Sequence, residues 1–187
     1  MKSKFTLRKK CLEKREIFFK KKGNECLKLK DIKAIIFEIK SKLKISSIGI
    51  YYPIKSEISP LKLIEICKNL SIRICLPIIC KNTSELIFSK FDNEMNITKN
   101  EYGIIEPNQI CQIIPDIIFV PMVGFDKNLN RLGYGKGYYD RTISKLRKLK
   151  KIFVIGLAYD NQLVLNIPVE NHDEKMDIIP TDKKIYR

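Results

Sequence analysis

Between Arg131 and Arg141 the sequence reads RLGYGKGYYDR, with three of the chain's eight glycines at every second position around a lysine. Alternate glycines remove the Cβ atoms that would hold a ligand off the backbone. They also admit positive φ, so successive N–H groups can turn toward one anion. Arg131 and Lys136 add positive charge, and a helix that starts directly after the loop adds its N-terminal dipole, so the stretch reads as a phosphate cradle. Asp140 opens that helix, where a carboxylate can cap it or hold a divalent cation on phosphate oxygens. Neither standard nucleotide loop fits. A Walker A loop needs Gly-x-x-x-x-Gly-Lys-Ser/Thr, but Lys136 is followed by Gly137, and the glycines at 133, 135 and 137 lack the Gly-x-Gly-x-x-Gly spacing of a Rossmann turn. A tight turn before a helix explains the glycines alone, but it requires none of the charged and aromatic groups around them.

A loop of this kind has to leave a strand and enter a helix. PDIIFVP (115–121) is a continuous apolar strand, and the segment 122–137 leaves its carboxyl end. YYDRTISKLRKLKK then begins a helix with Ile143, Leu146 and Leu149 at spacing three, and IFVIGLAY follows as another buried strand. Upstream, Ser3 can cap a helix carrying Phe5, Cys11, Leu12, Phe18 and Phe19, closed at Gly23. A second helix fits 27–43, where Ile32, Ile35, Ile36, Ile39 and Leu43 recur at three and four. SIGIYYP is a short strand stopped by Pro53; SPLKLIEICKNL is a helix with Ser59 at the N-cap and Pro60 at the first helical position; IRICLPI is a strand. From Glu85 to Pro107 the pattern weakens into a strand or two over one end of the sheet. Pro180 interrupts the last apolar run, so a final strand there is short or lies at an edge. The alternation of strand and helix predicts an α/β fold with a mostly parallel sheet and helices on both faces. In such sheets ligands sit beyond the carboxyl ends of the strands, which is where the glycine loop falls.

Composition narrows the function classes. The chain has 187 residues, 44% hydrophobic and 30% charged, suited to one domain that buries about 70% of its unfolded surface. The net charge is +15, yet the basic residues are spread along the chain, with Lys, Ile and Asn abundant throughout. A shift in base composition explains that spread, and no dedicated nucleic-acid surface is expected. Six cysteines at 11, 26, 67, 75, 80 and 111 and one histidine, His172, give no zinc spacing. The start MKSKFTLRKK has no apolar core of a secretory signal, and no run spans a membrane, so reduced cysteines in a cytoplasmic protein are expected.

The run FVPMVGFDKNLNRLGYGKGYYDR closely resembles the signature of the 5-formyltetrahydrofolate cyclo-ligase family, also called 5,10-methenyltetrahydrofolate synthetase. KFTLR, YYPIKSEI, YGIIEP and IPVENHDEKMDIIPTD resemble further segments of that family, in the same order and over essentially the whole chain, which implies one domain over 1–187. The resemblance implies a Rossmann-like layered sheet and an ATP- and magnesium-dependent conversion of 5-formyltetrahydrofolate to 5,10-methenyltetrahydrofolate. ATP would phosphorylate the formyl oxygen and N10 would close on the activated carbon. The family's ATP contacts fall on Lys4, Phe5, Thr6, Leu7 and Arg8 and on Arg131, Leu132, Gly133, Tyr134, Gly135, Lys136, Gly137, Tyr138 and Tyr139, with Lys136 and Arg131 as the catalytic cations. The folate contacts fall on Arg8, Tyr52, Glu57 and the 134–138 segment (Tyr134, Gly135, Lys136, Gly137, Tyr138), and the magnesium carboxylates on Asp140 and Asp173. A monomer is expected, with ATP and 5-formyltetrahydrofolate as its partners.

Without the resemblance these residues read more plainly. Lys4 and Arg8, one turn apart, would be a solvated basic face, Glu57 a polar turn residue, and Tyr138 and Tyr139 packing residues. His172 reads as part of a structural loop. Two other functions compete: a sugar-phosphate isomerase using the cradle without ATP, and a basic module for RNA or DNA, in which the glycine loop has no role.

Overall fold

The computed structural model describes residues 3–23, 28–80, 82–92 and 97–187. Cys26 and Leu27, where the second predicted helix would begin, lie outside them. Helix α1 (Lys4–Lys22) is capped as its sequence suggests: the Ser3 hydroxyl accepts from the Thr6 amide at 3.3 Å, and Gly23 ends it at φ 66°. Its buried face is not the one expected. Leu7, Cys11 and Arg15 point inward with Phe18 packed behind them, whereas Phe5 is 75% exposed.

Helix α2 (Leu29–Lys42) buries Ile32, Ile35, Ile36 and Ile39, the i, i+3, i+4, i+7 stripe that the sequence predicts. Strand β1 (Ser47–Gly49) is shorter than the apolar run around it. Helix α3 (Leu63–Asn69) starts later than predicted, with Lys62 and not Ser59 at its N-cap. The Leu63 and Ile64 amides bond three residues back, to Pro60 and Leu61, so the segment after Ser59 is a tight turn leading into the helix.

Strands β2 (Arg73–Cys80) and β3 (Glu85–Lys90) form an antiparallel pair, and β4 (Ile97–Lys99) and β5 (Ile105–Pro107) a small hairpin beyond them. Strand β6 (Ile117–Pro121) leads into the β7 (Gly124–Phe125) and β8 (Arg131–Leu132) hairpin, then α4 (Tyr138–Leu149) and β9 (Phe153–Leu157). The chain ends in β10 (Ile179–Pro180) and β11 (Ile185–Tyr186), an antiparallel pair as short as Pro180 predicts. In α4, Ile143 and Leu146 are buried but Leu149 is 61% exposed. Spacing three falls short of a full turn by about 60° per step, so the third residue has rotated off the buried face.

The main sheet has the order β3-β2-β1-β6-β9, parallel except for the β3 edge. Alternate residues of each strand serve opposite faces. Ile74, Ile117, Phe119 and Ile155 meet α2 and α3, while Cys75, Ile118, Val120 and Val154 meet α4. This is the layered α/β arrangement with helices on both faces that the alternation predicts. Helix α1 lies apart from these layers. Leu7 and Cys11 pack with Val123, Leu132 and Ile167, so α1 is fastened to the loop that follows β6.

Asp116 ties three elements together at the base of the sheet. Its Oδ2 accepts from the Ser46 and Ser47 amides at 2.8 and 2.9 Å, and its Oδ1 from Lys150 Nζ at 2.7 Å. Burial pushes its carboxyl up, but Lys150 and the serine donors outweigh that and hold it below the ordinary value. A depressed carboxyl stabilises the fold above the unfolded carboxylate range, and that contribution is lost as pH falls through the folded value. Asp116→Ala should therefore cost about 1.5–3 kcal/mol at neutral pH, and urea unfolding of the variant should show a weaker loss of stability on acidification than the parent.

Candidate active site

A cavity of about 760 Å³ opens beyond the carboxyl ends of the parallel strands, between Tyr51 and Tyr52 after β1 and Pro121 at the end of β6. Its volume is in the range of sites for small molecules. The β7–β8 hairpin supplies one wall. Its turn is fixed by Asp126, which is fully buried and accepts from the Asn128, Asn130 and Ile167 amides. The turn forces Leu129 to φ 63°, a left-handed conformation that side chains other than Gly and Asn seldom adopt.

The three glycines have a more specific role than an open cradle. A Cβ on Gly133 would lie 2.7 Å from Arg131 Nη1, one on Gly135 3.1 Å from Arg8 Cζ, and one on Gly137 2.7 Å from Arg141 Nη1. Each glycine thus admits a guanidinium against the backbone. Gly135 and Gly137 also require it through positive φ, 99° and 68°. Two of these arginines bond to loop carbonyls: Arg8 Nε to Gly133 O at 2.9 Å and Arg141 Nη2 to Lys136 O at 2.6 Å. With carbonyl oxygens held by arginines, the loop and the N-terminus of α4 form a wall of positive potential.

Lys4, Arg8, Tyr52, Glu57, Asp140, Asp173 and the whole run from Arg131 to Tyr139 border the cavity. Phe5, Thr6 and Leu7 do not: Phe5 and Thr6 face solvent, and Leu7 packs into the core. Lys136 stands at the mouth, its Nζ 4.0 Å from the centre of the Tyr102 ring. Arg131 is nearly buried, and its Nη2 bonds Asp140 Oδ2 at 2.5 Å. Tyr139, also deep, lies under the Arg131 guanidinium, and burial together with Glu57 pushes its hydroxyl well up. Lys4 Nζ reaches Asp173 at 2.6 Å and Glu170 at 3.2 Å. Burial raises the Asp173 carboxyl, but Lys4, the Glu170 amide and His172 hold it below its ordinary value. His172 borders the mouth and faces Glu170 at 3.3 Å.

The cavity is also lined by apolar side chains, among them Ile54, Pro77, Ile79 and Ile105, and by a further carboxylate in addition to Asp140, Glu170 and Asp173. That carboxylate, Glu57, is 3% exposed and accepts from the Ile54 amide at 2.9 Å. Burial raises it above the ordinary carboxylate value, opposed by the Ile54 amide, Arg15 and Tyr134. Burial and Glu57 push the Tyr134 hydroxyl up to about 12.

Arg15 is the residue that sequence reading passed over. It is 1% exposed, and its guanidinium bonds Ser56 Oγ at 3.1 Å, Met122 O at 3.0 Å and the Tyr134 hydroxyl at 2.6 Å. The signal was its position: Leu7, Cys11, Arg15 and Phe18 share one face of a helix, and an arginine inside such a stripe must be buried with partners.

The site therefore brings a cationic loop, apolar side chains and a deeply buried acid, Glu57, to one cavity. The 5-formyltetrahydrofolate cyclo-ligase family matches residues 1–182. This chain belongs to that family. The cyclo-ligase of Haemophilus influenzae is 35% identical over 133 residues, 68% of this chain and 71% of that one. The cyclo-ligase of Mycoplasma pneumoniae is 36% identical over 140 residues, 74% of each chain. Among cyclo-ligase structures, the solution structure of Aquifex aeolicus 5,10-methenyltetrahydrofolate synthetase superimposes with a TM-score of 0.76 at 28% identity, covering 98% of this chain and 92% of that one. The cyclo-ligase fold is thus shared end to end.

Gly135→Ala tests the packing of arginine on glycine. An alanine at φ 99° against Arg8 should cost about 1–2 kcal/mol of stability, measured by denaturation. It should also weaken binding of inorganic tripolyphosphate about tenfold in calorimetry, because Arg8 can no longer seat on the loop.

Proposed function

We propose that this chain converts 5-formyltetrahydrofolate to 5,10-methenyltetrahydrofolate, using ATP and magnesium and releasing ADP and phosphate. The observation that carries this reading is that the glycine loop, with Arg8 and Arg131, borders one cavity together with Glu57 and a set of apolar side chains. A sugar phosphate would leave the apolar side chains unused, and a nucleic acid would leave the loop unused.

In the proposed reaction the formyl oxygen takes the terminal phosphoryl group of ATP, and ADP leaves. N10 then attacks the activated carbon, and loss of phosphate completes the five-membered ring. Transfer of this kind depends on positioning and charge neutralisation. Lys4, Arg8, Arg131 and Lys136 border the side where phosphates would lie, and the amides of the loop at the start of α4 add donors. Leu132 and Gly133 shape the wall; Tyr134, Gly135, Gly137 and Tyr138 lie where both ligands would meet it. Glu57 would accept from N–H groups on the pterin edge, a directional pairing for a buried carboxylate. Tyr52 would flank the ring.

Asp140 and Asp173 suit magnesium. Both are hard oxygen donors bordering the cavity, and no group of three metal-binding side chains exists among the described residues. A metal held by one or two carboxylates and completed by phosphate oxygens has this composition. When bound, magnesium would neutralise charge on the phosphates. Arg131 and Lys4 hold the two carboxylates in place by ion pairs.

We take residues 1–187 to act as one domain and as a monomer. No described helix is long and apolar enough to cross a membrane. Five described cysteines are unpaired, which supports a reducing compartment such as the cytoplasm.

Absorbance in the methenyl-folate band should rise on mixing protein with 5-formyltetrahydrofolate, ATP and magnesium, and omission of any one should abolish the rise. No rise from folded protein would refute the activity. Lys136→Ala should lower kcat about 100-fold with the fold intact, while an unchanged rate would remove that residue from the mechanism. Asp140→Asn should raise the magnesium concentration needed for half-maximal rate; an unchanged metal titration would count against the ligand role.

A further inference from the structure

We infer that Arg15 is a positioning residue for the folate half of the site, acting through Tyr134 and through Ser56 in the turn that carries Glu57. The inference rests on the proposed activity. Arg15 contacts no open part of the cavity and belongs to no borrowed set of site residues, yet it is the most deeply buried charged side chain of α1.

The argument follows the hydrogen bonds. Guanidinium nitrogens only donate. Arg15 Nη2 therefore gives its proton to the Tyr134 hydroxyl, 2.6 Å away, and occupies an acceptor lone pair of that oxygen. The hydroxyl proton is then directed away from Arg15, and Tyr134 lies within electrostatic reach of Glu57. Ile54 N–H donates to Glu57 Oε2 at 2.9 Å. That bond restrains the carboxylate, and the Arg15 bonds to Tyr134 and Ser56 hold the groups beside it.

The rest of the Arg15 fork has its own partners. Nε bonds Ser56, the neighbour of Glu57, and Nη1 bonds the Met122 carbonyl just past β6. Gln162 Nε2 also donates to Met122 O, at 2.7 Å. One guanidinium thus joins the Glu57 turn, the β6 end and the glycine loop. Among the described residues its charge makes no ion pair, and Glu57 lies close enough to feel it. A buried cation placed so constrains its neighbours strongly, because any displacement leaves polar groups unpaired. The hydroxyls of Tyr51 and Tyr139 also interact with Glu57, and neither can replace a cation.

The test is steady-state kinetics on the full chain with both substrates varied. Arg15→Met should raise KM for 5-formyltetrahydrofolate about tenfold or more, with KM for ATP within about twofold of the parent. Arg15→Lys, which keeps the charge and loses the fork, should recover part of that loss. In a Tyr134→Phe background, Arg15→Met should add much less than it does alone. An unchanged folate KM, an equal rise in both KM values, or additive effects would overturn the assignment. If Arg15→Met does not fold, Arg15→Lys and Ser56→Ala decide: a selective rise in folate KM supports the role, and parent values refute it. Absence of turnover in the unsubstituted protein would instead refute the activity itself, and this role with it.

Discussion

The site depends on the contact between arginine guanidiniums and the bare backbone of the glycine loop. A guanidinium is flat, permanently charged and weakly hydrated for a cation, so it can lie against a peptide plane where an ammonium could not. Three of them do so here, each over a position that lacks Cβ. This arrangement braces the loop between Gly133 and Gly137. It also concentrates positive charge on one wall, and that concentration tolerates self-repulsion only because Asp140, Asp173 and the loop carbonyls are interleaved with it.

The layers of the protein serve to hold that wall and Glu57 at one cavity. The parallel strands end together, so the segments after β1 and β6 emerge side by side, with α1 laid across them. Arg15 and Gln162 bind the same carbonyl, Met122 O. The backbone just beyond β6 is therefore held both by the first helix and by the turn after β9. Partners differentiate the carboxylates of the cavity: burial leaves Glu57 raised, whereas Asp173, with Lys4 beside it, stays below its ordinary value.

Much of this was legible in the sequence because it follows from periodicity. The isoleucine stripe of α2, the continuous apolar run of β6 and the Ser3 and Gly23 ends of α1 are local signals, and the structure agrees with them. The readings that differ were also local. Leu149 sits at spacing three but has rotated to solvent, and Ser59 precedes a tight turn before α3. The convergence of Lys4, Glu57, Gly135 and Asp173 on one cavity could not be read locally, since they come from distant parts of the chain. Only the family resemblance brought them together in advance. Arg15 escaped even that, because an arginine in a lysine-rich helix reads as solvated unless its place in the stripe is weighed.

The seating of α1 has a kinetic side. Its partners are far along the chain: Arg15 bonds a carbonyl 107 residues away, Arg8 one 125 away, and Lys4 a carboxylate 169 away. The helix precedes these partners in the chain, and it can dock only after β6, the glycine loop and the segment around Asp173 are in place. Contacts of such long sequence separation carry the largest loop-closure entropy and form late. The wall that α1 adds to the cavity is therefore built from the most non-local contacts of the site, so its closure rests on the rest of the fold being in place.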